Sequence, residues 1–176
     1  MLETPLAIVH YPDPVLRRRA EEITEIDDET RELAAAMIEA MVNSDGIGLA
    51  APQVGVSRRI IVLSPTGQAA DASVHINPRI VESGGDEVEF EEGCLSFPEV
   101  RGIVVRPEHV TAEWEDLEGR TFRAETEGLI ARIFQHEIDH LDGILFVTRF
   151  GPADKLQAKR RLKKLEEEFA VRAARR

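Results

Sequence analysis

The stretch that decides how this chain folds is residues 126–143, TEGLIARIFQHEIDHLDG. Thr126 can cap a helix, the glutamates on either side of it suit the positive end of a helix dipole, and Gly143 can follow the last turn. Apolar and histidine side chains then recur at i, i+4, i+7 and i+11, which places them on one continuous face. The sequence therefore predicts a helix whose inward face carries Leu129, Ile133, His136 and His140.

The two histidines of this helix have the spacing of metal ligands. Four residues of α-helix turn by about 400° and rise about 6 Å, so His136 and His140 project side by side and can bind one ion. Glu137 stands beside a ligand and can take a proton from a metal-activated water without binding the metal itself. Two inward histidines without a metal would be costly to bury, although backbone carbonyls could also satisfy them.

Two histidines need a third ligand, and spacing alone leaves its identity open. One class of metalloprotease extends the motif to HExxHxxGxxH, but Phe146 occupies the last position and cannot bind a metal. Another class uses a downstream glutamate, for which Glu166 is the nearest candidate, within a charge run that is typical of a solvated helix. The remaining candidate is Cys94, which follows a glycine and would supply a soft thiolate, although a lone cysteine is more often a small buried apolar residue.

The rest of the chain predicts strands and two further helices around this central helix. Asp27 or Asp28 can cap a helix that runs to about Asn43, and Pro152 can open a last helix. Pro78 interrupts one predicted strand and favours a sheet edge for it. The predicted strands are residues 59–63, 74–81 and a hairpin of 109–115 with 121–124. The fold class is α+β, with mixed or antiparallel strands packed around the HExxH helix and with an N-terminal and a C-terminal helix.

Length and composition narrow the class of protein. The 176 residues include 43% hydrophobic and 31% charged side chains, which predicts a single globular domain over residues 1–176. The net charge of −11 argues against a protein that coats DNA with its whole surface. No apolar run reaches the length of a membrane span, and the first residues lack a signal-peptide pattern. With Cys94 as the one cysteine, we expect a cytoplasmic protein.

Basic residues are concentrated at the C-terminal end of the chain. Residues 155–176 contain nine lysines and arginines against three glutamates, so the acidic excess lies in the preceding residues. The last helix, predicted over residues 152–176, would therefore present a basic surface that attracts a polyanion. One of its faces is apolar and can pack on the body of the protein through Leu162, Leu165 and Phe169.

Three motifs together resemble the peptide deformylase family, and they occur in the family's order. They are residues 46–53 (GIGLAAPQ), 92–96 (EGCLS) and 135–143 (QHEIDHLDG). The HExxH pattern alone occurs in many hydrolases, whereas the three motifs together are close to diagnostic. The resemblance extends over nearly the whole chain, and the long terminal helix is similar to that of the type 1 bacterial branch.

The resemblance implies which residues bind the metal and move the proton. One divalent metal ion would be held by Cys94, His136 and His140, with water in the fourth position. Glu137 would take a proton from that water and later deliver it to the departing amine.

The same resemblance implies which residues meet the substrate. Gln53, through its side-chain amide, and Leu95, through its backbone N–H, would hydrogen-bond the oxyanion that forms at the formyl carbon. Gly48 would make main-chain hydrogen bonds beside an extended substrate. The apolar side chains expected around a methionine side chain are Ile47, Leu129 and Ile133.

Substrate, metal and partner also follow from the resemblance. The family removes the formyl group from the N-terminal formylmethionine of nascent chains and releases formate. Its physiological metal is Fe2+, with Ni2+, Co2+ or Zn2+ as substitutes in isolated protein. Members of the type 1 branch are thought to dock on ribosomal RNA near the tunnel exit through the terminal helix. In this chain the docking residues would be Lys159, Arg160, Arg161, Lys163 and Lys164.

Two other functions are compatible with parts of the sequence. A zinc endopeptidase with Glu166 as its third ligand would share the HExxH helix. A ribosome-associated module with a purely structural metal would share the ligands but would not need a free carboxylate beside them. Glu137 supplies such a carboxylate, which favours an enzyme over the structural alternative.

Overall fold

Three α-helices and five strands make up the fold that a computed structural model describes for residues 6–174. The helices are α1 (Asp28–Asn43), α2 (Gly128–Leu141) and α3 (Pro152–Ala173). The strands are β1 (Gly48–Ala50), β2 (Ile60–Leu63), β3 (Ser73–Gly93), β4 (Arg101–Glu115) and β5 (Thr121–Glu127). Residues 175 and 176, which the sequence analysis includes in the basic helix, lie outside the described residues, as do residues 1–5.

The strands form one antiparallel sheet in the order β1-β2-β3-β4-β5. The predicted hairpin is confirmed, because β4 pairs with β5 and places Trp114 opposite Phe122. The helix with the HExxH motif is α2, which packs against β1, β4 and β5. The predicted α+β class, with antiparallel strands around this helix, is therefore confirmed.

One strand prediction is wrong in its length and in its place in the sheet. The segment expected to be an edge strand over residues 74–81 is the start of β3, which continues to Gly93 and lies between β2 and β4. Pro78 is tolerated there because the pairing with β4 shifts register between Ile76 and Arg79. At this irregularity Asn77 has a φ of +49°, and its side-chain amide bonds both backbone groups of Ile23, at 2.9 and 2.8 Å.

The starts of α1 and α2 differ in how well the sequence predicts them. The start of α1 is confirmed, because the Asp27 carboxylate accepts a hydrogen bond from the Thr30 N–H at 2.8 Å. The prediction that Thr126 caps α2 is wrong. Thr126 lies in β5 opposite Val110, and its hydroxyl donates to the carbonyl of that residue. The chain passes from β5 into α2 at Gly128, where a φ of +57° accommodates the change of direction.

The C-terminal end of α2 is fixed by packing against the preceding part of the chain. Gly143 has a φ of +71°, as predicted for a residue just past a helix, and a Cβ there would lie 2.6 Å from the Arg17 carbonyl oxygen. The Arg59 guanidinium donates to Asp142 at 2.7 Å and to the Leu141 carbonyl at 3.4 Å. These contacts hold the last turn of the helix, which contains His140, the second histidine of the motif.

Three apolar clusters lie between the sheet and the helices. The first packs α1 on β1 and β2, and the third packs α2 on β2 and β4. The second joins α3 to the segment between β3 and β4, with Leu165 fully buried and Leu162 partly buried as the apolar face of α3 predicts. Phe169, the third residue of that face, is half-buried. Within residues 6–174, no helix combines the length and the apolar character needed to cross a membrane.

His75 is a buried histidine whose charge state should affect folding. Its ring lies edge-on to Trp114 and Phe134, with ring centroids 4.9 and 4.8 Å away. Burial lowers the pKa of His75 from 6.5 to about 4, because its apolar surroundings disfavour the charged ring. The unfolded chain takes up this proton below pH 6.5 while the folded chain does not. The stability is therefore complete above pH 6.5 and is lost as the pH falls toward 4.

We expect this one group to lower the free energy of unfolding by about 2 kcal/mol between pH 7 and pH 4.5. The measurement is urea unfolding of the wild type and of His75→Phe at both pH values. Carboxylates titrate in both proteins over this pH range. The informative quantity is therefore the difference between the wild type and the variant in the free energy of unfolding that each loses from pH 7 to pH 4.5. Equal losses in the two proteins would contradict the assignment to His75.

Candidate metal centre

The three predicted ligands come together from two places in the fold. His136 and His140 lie on one face of α2, and Cys94 is the first residue of the loop that joins β3 to β4. The ligand atoms of the three side chains all lie within 4.8 Å of one another. Cys94 Sγ is 3.2 Å from His140 Nε2. Two imidazoles and one thiolate at this separation are suited to a single divalent metal ion such as Zn2+ or Fe2+.

Glu166, the alternative third ligand, lies at another place on the molecule. Its carboxylate on α3 accepts a hydrogen bond of 2.6 Å from the Tyr11 hydroxyl. Within residues 6–174, the group that could hold a metal contains Cys94 and the two histidines and does not include Glu166. The geometry therefore favours a cysteine over a glutamate as the third ligand.

A buried carboxylate orients the first histidine. His136 Nδ1 lies 2.9 Å from Glu92 Oε2, an arrangement that leaves Nε2 for a metal. Arg106 donates two hydrogen bonds to the same carboxylate, at 2.7 and 3.0 Å, and Arg132 donates one at 2.8 Å. Burial opposes ionisation, but the hydrogen bonds from His136 and Arg106 hold the pKa of Glu92 well below its ordinary value. The carboxylate is therefore charged and acts only as an acceptor.

Arg106 also connects this carboxylate to α2. It donates to Asp139 Oδ2 at 2.8 Å, and Arg149 donates to both oxygens of the same carboxylate. The Arg106 side chain is only 2% exposed, so two carboxylates balance its charge away from water. We call this group of side chains the Arg106 network: Glu92, Arg106, Arg132, Asp139 and Arg149.

The pKa values of the two histidines are shifted in opposite directions by the surrounding protein groups. Burial, together with the charges of His136 and Arg106, lowers the pKa of His140 well below its ordinary value, so its ring is neutral and ready to bind a metal. Burial also lowers the pKa of His136, but interactions with Cys94 and Glu92 outweigh it and raise that pKa well above its ordinary value. Metal binding at this site would therefore release a proton.

Glu137 faces β1 across a very short gap. A Cβ added at Gly48 would lie 2.5 Å from Glu137 Oε1 and 2.8 Å from Ile133 Cγ2, so glycine is what lets the carboxylate approach the strand. Glu137 Oε2 is buried and has no hydrogen-bond partner in the described part of the chain. Burial raises the pKa of Glu137 to about 7, and a bound cation would lower it again. Such a carboxylate can exchange a proton with a water molecule beside it.

Gln53 and Leu95 offer hydrogen-bond donors at the same place. Gln53 lies in a short 3₁₀ helix, Ala51–Val54, directly after β1. Its side-chain oxygen accepts from the Ala50 N–H at 2.8 Å, which turns the amide nitrogen toward Cys94 Sγ, 3.5 Å away. In the described residues, the backbone N–H of Leu95 donates to no acceptor. Both groups are thus able to bind a negatively charged oxygen beside the metal ligands.

These side chains line a cleft with a volume of about 500 Å3. The three predicted apolar residues lie in its wall: Ile133 is buried, while Ile47 and Leu129 are partly exposed. Ile47 and Gly48 bring the edge strand β1 to the same cleft. The cleft can therefore take an apolar side chain while a peptide backbone lies along a free strand edge.

The fold and this arrangement match one known family. The sequence profile described as polypeptide deformylase matches residues 5–156. The chain belongs to the peptide deformylase family. A peptide deformylase of Acidobacterium capsulatum is 47% identical over 161 residues, which are 90% of this chain and 94% of that one. Peptide deformylase 1B of Arabidopsis thaliana, chloroplastic/mitochondrial, is 41% identical over 95% of this chain and 62% of its own length.

Solved structures of deformylases share the whole fold. A crystal structure of the plant peptide deformylase PDF1B superposes with a TM-score of 0.94 at 40% identity and covers 99% of this chain and 96% of that one. A peptide deformylase from Plasmodium falciparum superposes with a TM-score of 0.91, also at 40% identity, and covers 94% and 98%. The resemblance carried by the three motifs is confirmed, and the chain is an enzyme of this hydrolase family.

The Arg106 network is the part of the deformylase site that the sequence analysis did not identify. The sequence identifies Glu92 only as part of the EGCLS motif and does not identify Arg106 and Arg132, the two arginines that bind it. A signal was present, because Gly102, Val104 and Arg106 alternate along the buried face of β4. A charged residue at an inward position needs a buried partner of opposite charge.

We expect Arg106→Met to lower the free energy of unfolding by about 3 kcal/mol, because it removes three hydrogen bonds and a positive charge from two buried carboxylates. Glu92 would keep Arg132 and Asp139 would keep Arg149. The control is Arg79→Met, which removes a guanidinium that pairs with Glu113 at 2.7 Å but whose side chain is 71% exposed. This control should cost less than about 1 kcal/mol. Urea unfolding of both variants at equal metal loading makes the comparison, and similar losses would show that the network is not a main source of stability.

Proposed function

We propose that this chain hydrolyses the N-formyl group of the N-terminal formylmethionine of nascent polypeptides and releases formate. One observation supports this more than any other. The Glu137 carboxylate and the Gln53 amide lie in the same cleft as Cys94 and His136, and the ligand atom of His140 is within 4.8 Å of those two, in a chain that belongs to the deformylase family. That set of groups contains what hydrolysis of a small amide requires: a nucleophile-activating site, a base and an oxyanion donor.

The metal would be held by Cys94, His136 and His140. We propose Fe2+ as the ion in the cell, with Zn2+, Ni2+ or Co2+ able to replace it in isolated protein. When bound, the ion supplies Lewis-acid activation of water at neutral pH. The contact between His136 and Glu92 supports this assignment, because a ligand imidazole commonly donates its other N–H to a carboxylate.

Three protein groups would carry the remaining chemistry. Glu137 accepts a proton from the attacking water and donates it to the amine that leaves. The Gln53 amide and the Leu95 backbone N–H donate hydrogen bonds to the formyl oxygen as it gains negative charge. The bond between Gln53 Oε1 and the Ala50 N–H supports this role, since it holds the amide nitrogen on the cleft side.

The substrate would bind as an extended peptide along β1. Gly48 would exchange main-chain hydrogen bonds with it, because β1 is an edge strand and, within residues 6–174, pairs in the sheet with β2 alone. The methionine side chain would lie against Ile47, Leu129 and Ile133, which are apolar parts of the cleft wall. Apolar walls of this kind, buried at Ile133 and partly exposed at Ile47 and Leu129, suit a flexible apolar side chain such as that of methionine.

The experiment that tests the function is formate release from a formyl-Met peptide by protein purified without oxygen and loaded with Fe2+. We expect release from this peptide and none from the same peptide without its formyl group. Oxygen is excluded because a cysteine thiolate oxidises readily. If the metal-replete protein releases no formate, the site acts on another substrate.

Glu137→Ala is the matched control for this experiment. We expect this variant to keep its metal, because the ligand side chains are untouched, but to lose turnover by about 10²–10⁴-fold. Metal content per chain is measured on the same sample as the formate assay. Normal turnover in a metal-replete variant would remove Glu137 from the mechanism.

We further propose that the protein acts in the cytoplasm and docks on the ribosome through α3. Lys159, Arg160, Lys163 and Lys164 are exposed, whereas the Arg161 side chain is 17% exposed and engaged within the chain. Truncation is a poor test, because α3 contributes the fully buried Leu165 to the core. We expect Glu at the four exposed positions to weaken salt-dependent co-sedimentation with ribosomes. Unchanged binding at low salt would refute the docking proposal.

A further inference from the structure

The loop of residues 94–100 carries Cys94 but has little structure of its own. Its internal backbone hydrogen bonds run from the Phe97 N–H to the Cys94 carbonyl at 2.9 Å and from the Val100 N–H to the Phe97 carbonyl at 3.1 Å. Glu99 has a φ of +65°, a left-handed conformation that residues other than glycine adopt at a cost. A conformation of this kind is kept only where the surroundings determine it.

Helix α3 makes its polar contacts with this loop through the Arg161 side chain. Arg161 Nε donates to the Pro98 carbonyl at 3.0 Å, and another nitrogen of the same guanidinium lies 3.2 Å from Glu99 Oε1. The guanidinium therefore binds both the backbone and the side chain at the strained part of the loop. Its low exposure on an otherwise exposed basic helix shows that this position serves an internal contact.

A second path connects α3 to the same loop. Tyr11 connects the two: its hydroxyl donates a hydrogen bond to the Glu166 carboxylate on α3. On the loop side, the Tyr11 N–H donates to the Ser96 carbonyl at 2.9 Å, and the Tyr11 ring stacks on Phe97 with 5.1 Å between ring centroids. Leu165 belongs to the apolar cluster against which Cys94 packs. The segment that presents the thiol is thus held between the N-terminal segment and α3.

We propose that Arg161 is a positioning residue for the metal centre: it holds the 94–100 loop and thereby sets where Cys94 Sγ lies relative to the two histidines. The backbone spacing of the two histidines is fixed by helical geometry within α2, and Glu92 orients the ring of His136. The thiol is the ligand whose position depends on contacts outside its own segment. This inference rests on the metal site of the proposed function, but it does not depend on which substrate the site hydrolyses.

The test compares Arg161→Gln with Arg172→Gln, which removes the same charge from an exposed position near the end of α3. Co2+ is loaded into both variants and the wild type, and its dissociation constant is measured by competition with a chelator. We expect Arg161→Gln to bind Co2+ about 10-fold more weakly, the lower end of the range for partners that orient a ligand. Arg172→Gln should match the wild type.

Alkylation of the metal-free protein gives a second readout that needs no metal. Cys94 is the one cysteine, so the rate of reaction with iodoacetamide reports on this loop alone. We expect a several-fold faster reaction in Arg161→Gln than in Arg172→Gln. Removal of a positive charge does not by itself speed the alkylation of a thiol. A faster reaction therefore reports a less restrained loop.

Glu99→Gln tests the same contact from the loop side. It removes the ion pair but keeps the bond from Arg161 to the Pro98 carbonyl, so a smaller weakening of Co2+ binding is expected. If Arg161→Gln does not fold, as judged by circular dichroism, Glu99→Gln decides the question. Wild-type Co2+ affinity and alkylation rate in the folded variants would overturn the proposal. Absence of formate release, with the affinity loss still present, would instead overturn the proposed function alone.

Discussion

The rest of the site depends on the buried charge of Arg106. Its guanidinium binds the carboxylate of Glu92 at the end of β3 and that of Asp139 on α2, so a strand and a helix distant in sequence are joined through one side chain on β4. Arg106 supplies three of the hydrogen bonds that compensate these two buried carboxylates, and its own charge could not be buried without them. Because Glu92 is two residues before Cys94 and Asp139 is next to His140, the same contact brings the thiol to the imidazoles.

The close packing of β1 against α2 also restricts the geometry of the site. Gly48 brings β1 so near to Glu137 that a single added methyl group would overlap the carboxylate. The edge of the strand and the candidate base therefore lie within one van der Waals contact of each other. A peptide aligned on this edge would meet the base without any movement of the backbone, which is the type of preorganisation that favours catalysis. The absence of one side chain, at Gly48, thus brings an edge strand and the candidate base together.

The sequence predicts those parts of the site that depend on local geometry. The spacing of His136 and His140 follows from the helical repeat, and the resemblance in three motifs leads to Cys94. The Arg106 network could not be predicted in the same way, because its contacts join residues 14 and 33 positions apart and no periodicity relates them. The misplaced edge strand has a similar origin. The rule that excludes proline from central strands is correct for regular pairing, but Pro78 lies where the register shifts.

The two histidines and the cysteine are positioned by different kinds of contact. This difference determines which substitutions elsewhere in the chain can move each candidate ligand. The backbone separation of an i, i+4 pair is set by the hydrogen bonds within α2, and only the orientation of the rings depends on neighbours such as Glu92. The thiol has no such internal support, because its loop turns twice within seven residues and depends on contacts with Tyr11 and α3. Substitutions on α3 can therefore alter the third ligand without touching the first two. The sequence of α3 is therefore under two separate constraints: its exposed face is basic, and its inner face restrains the thiol. Arg161 serves the second of these.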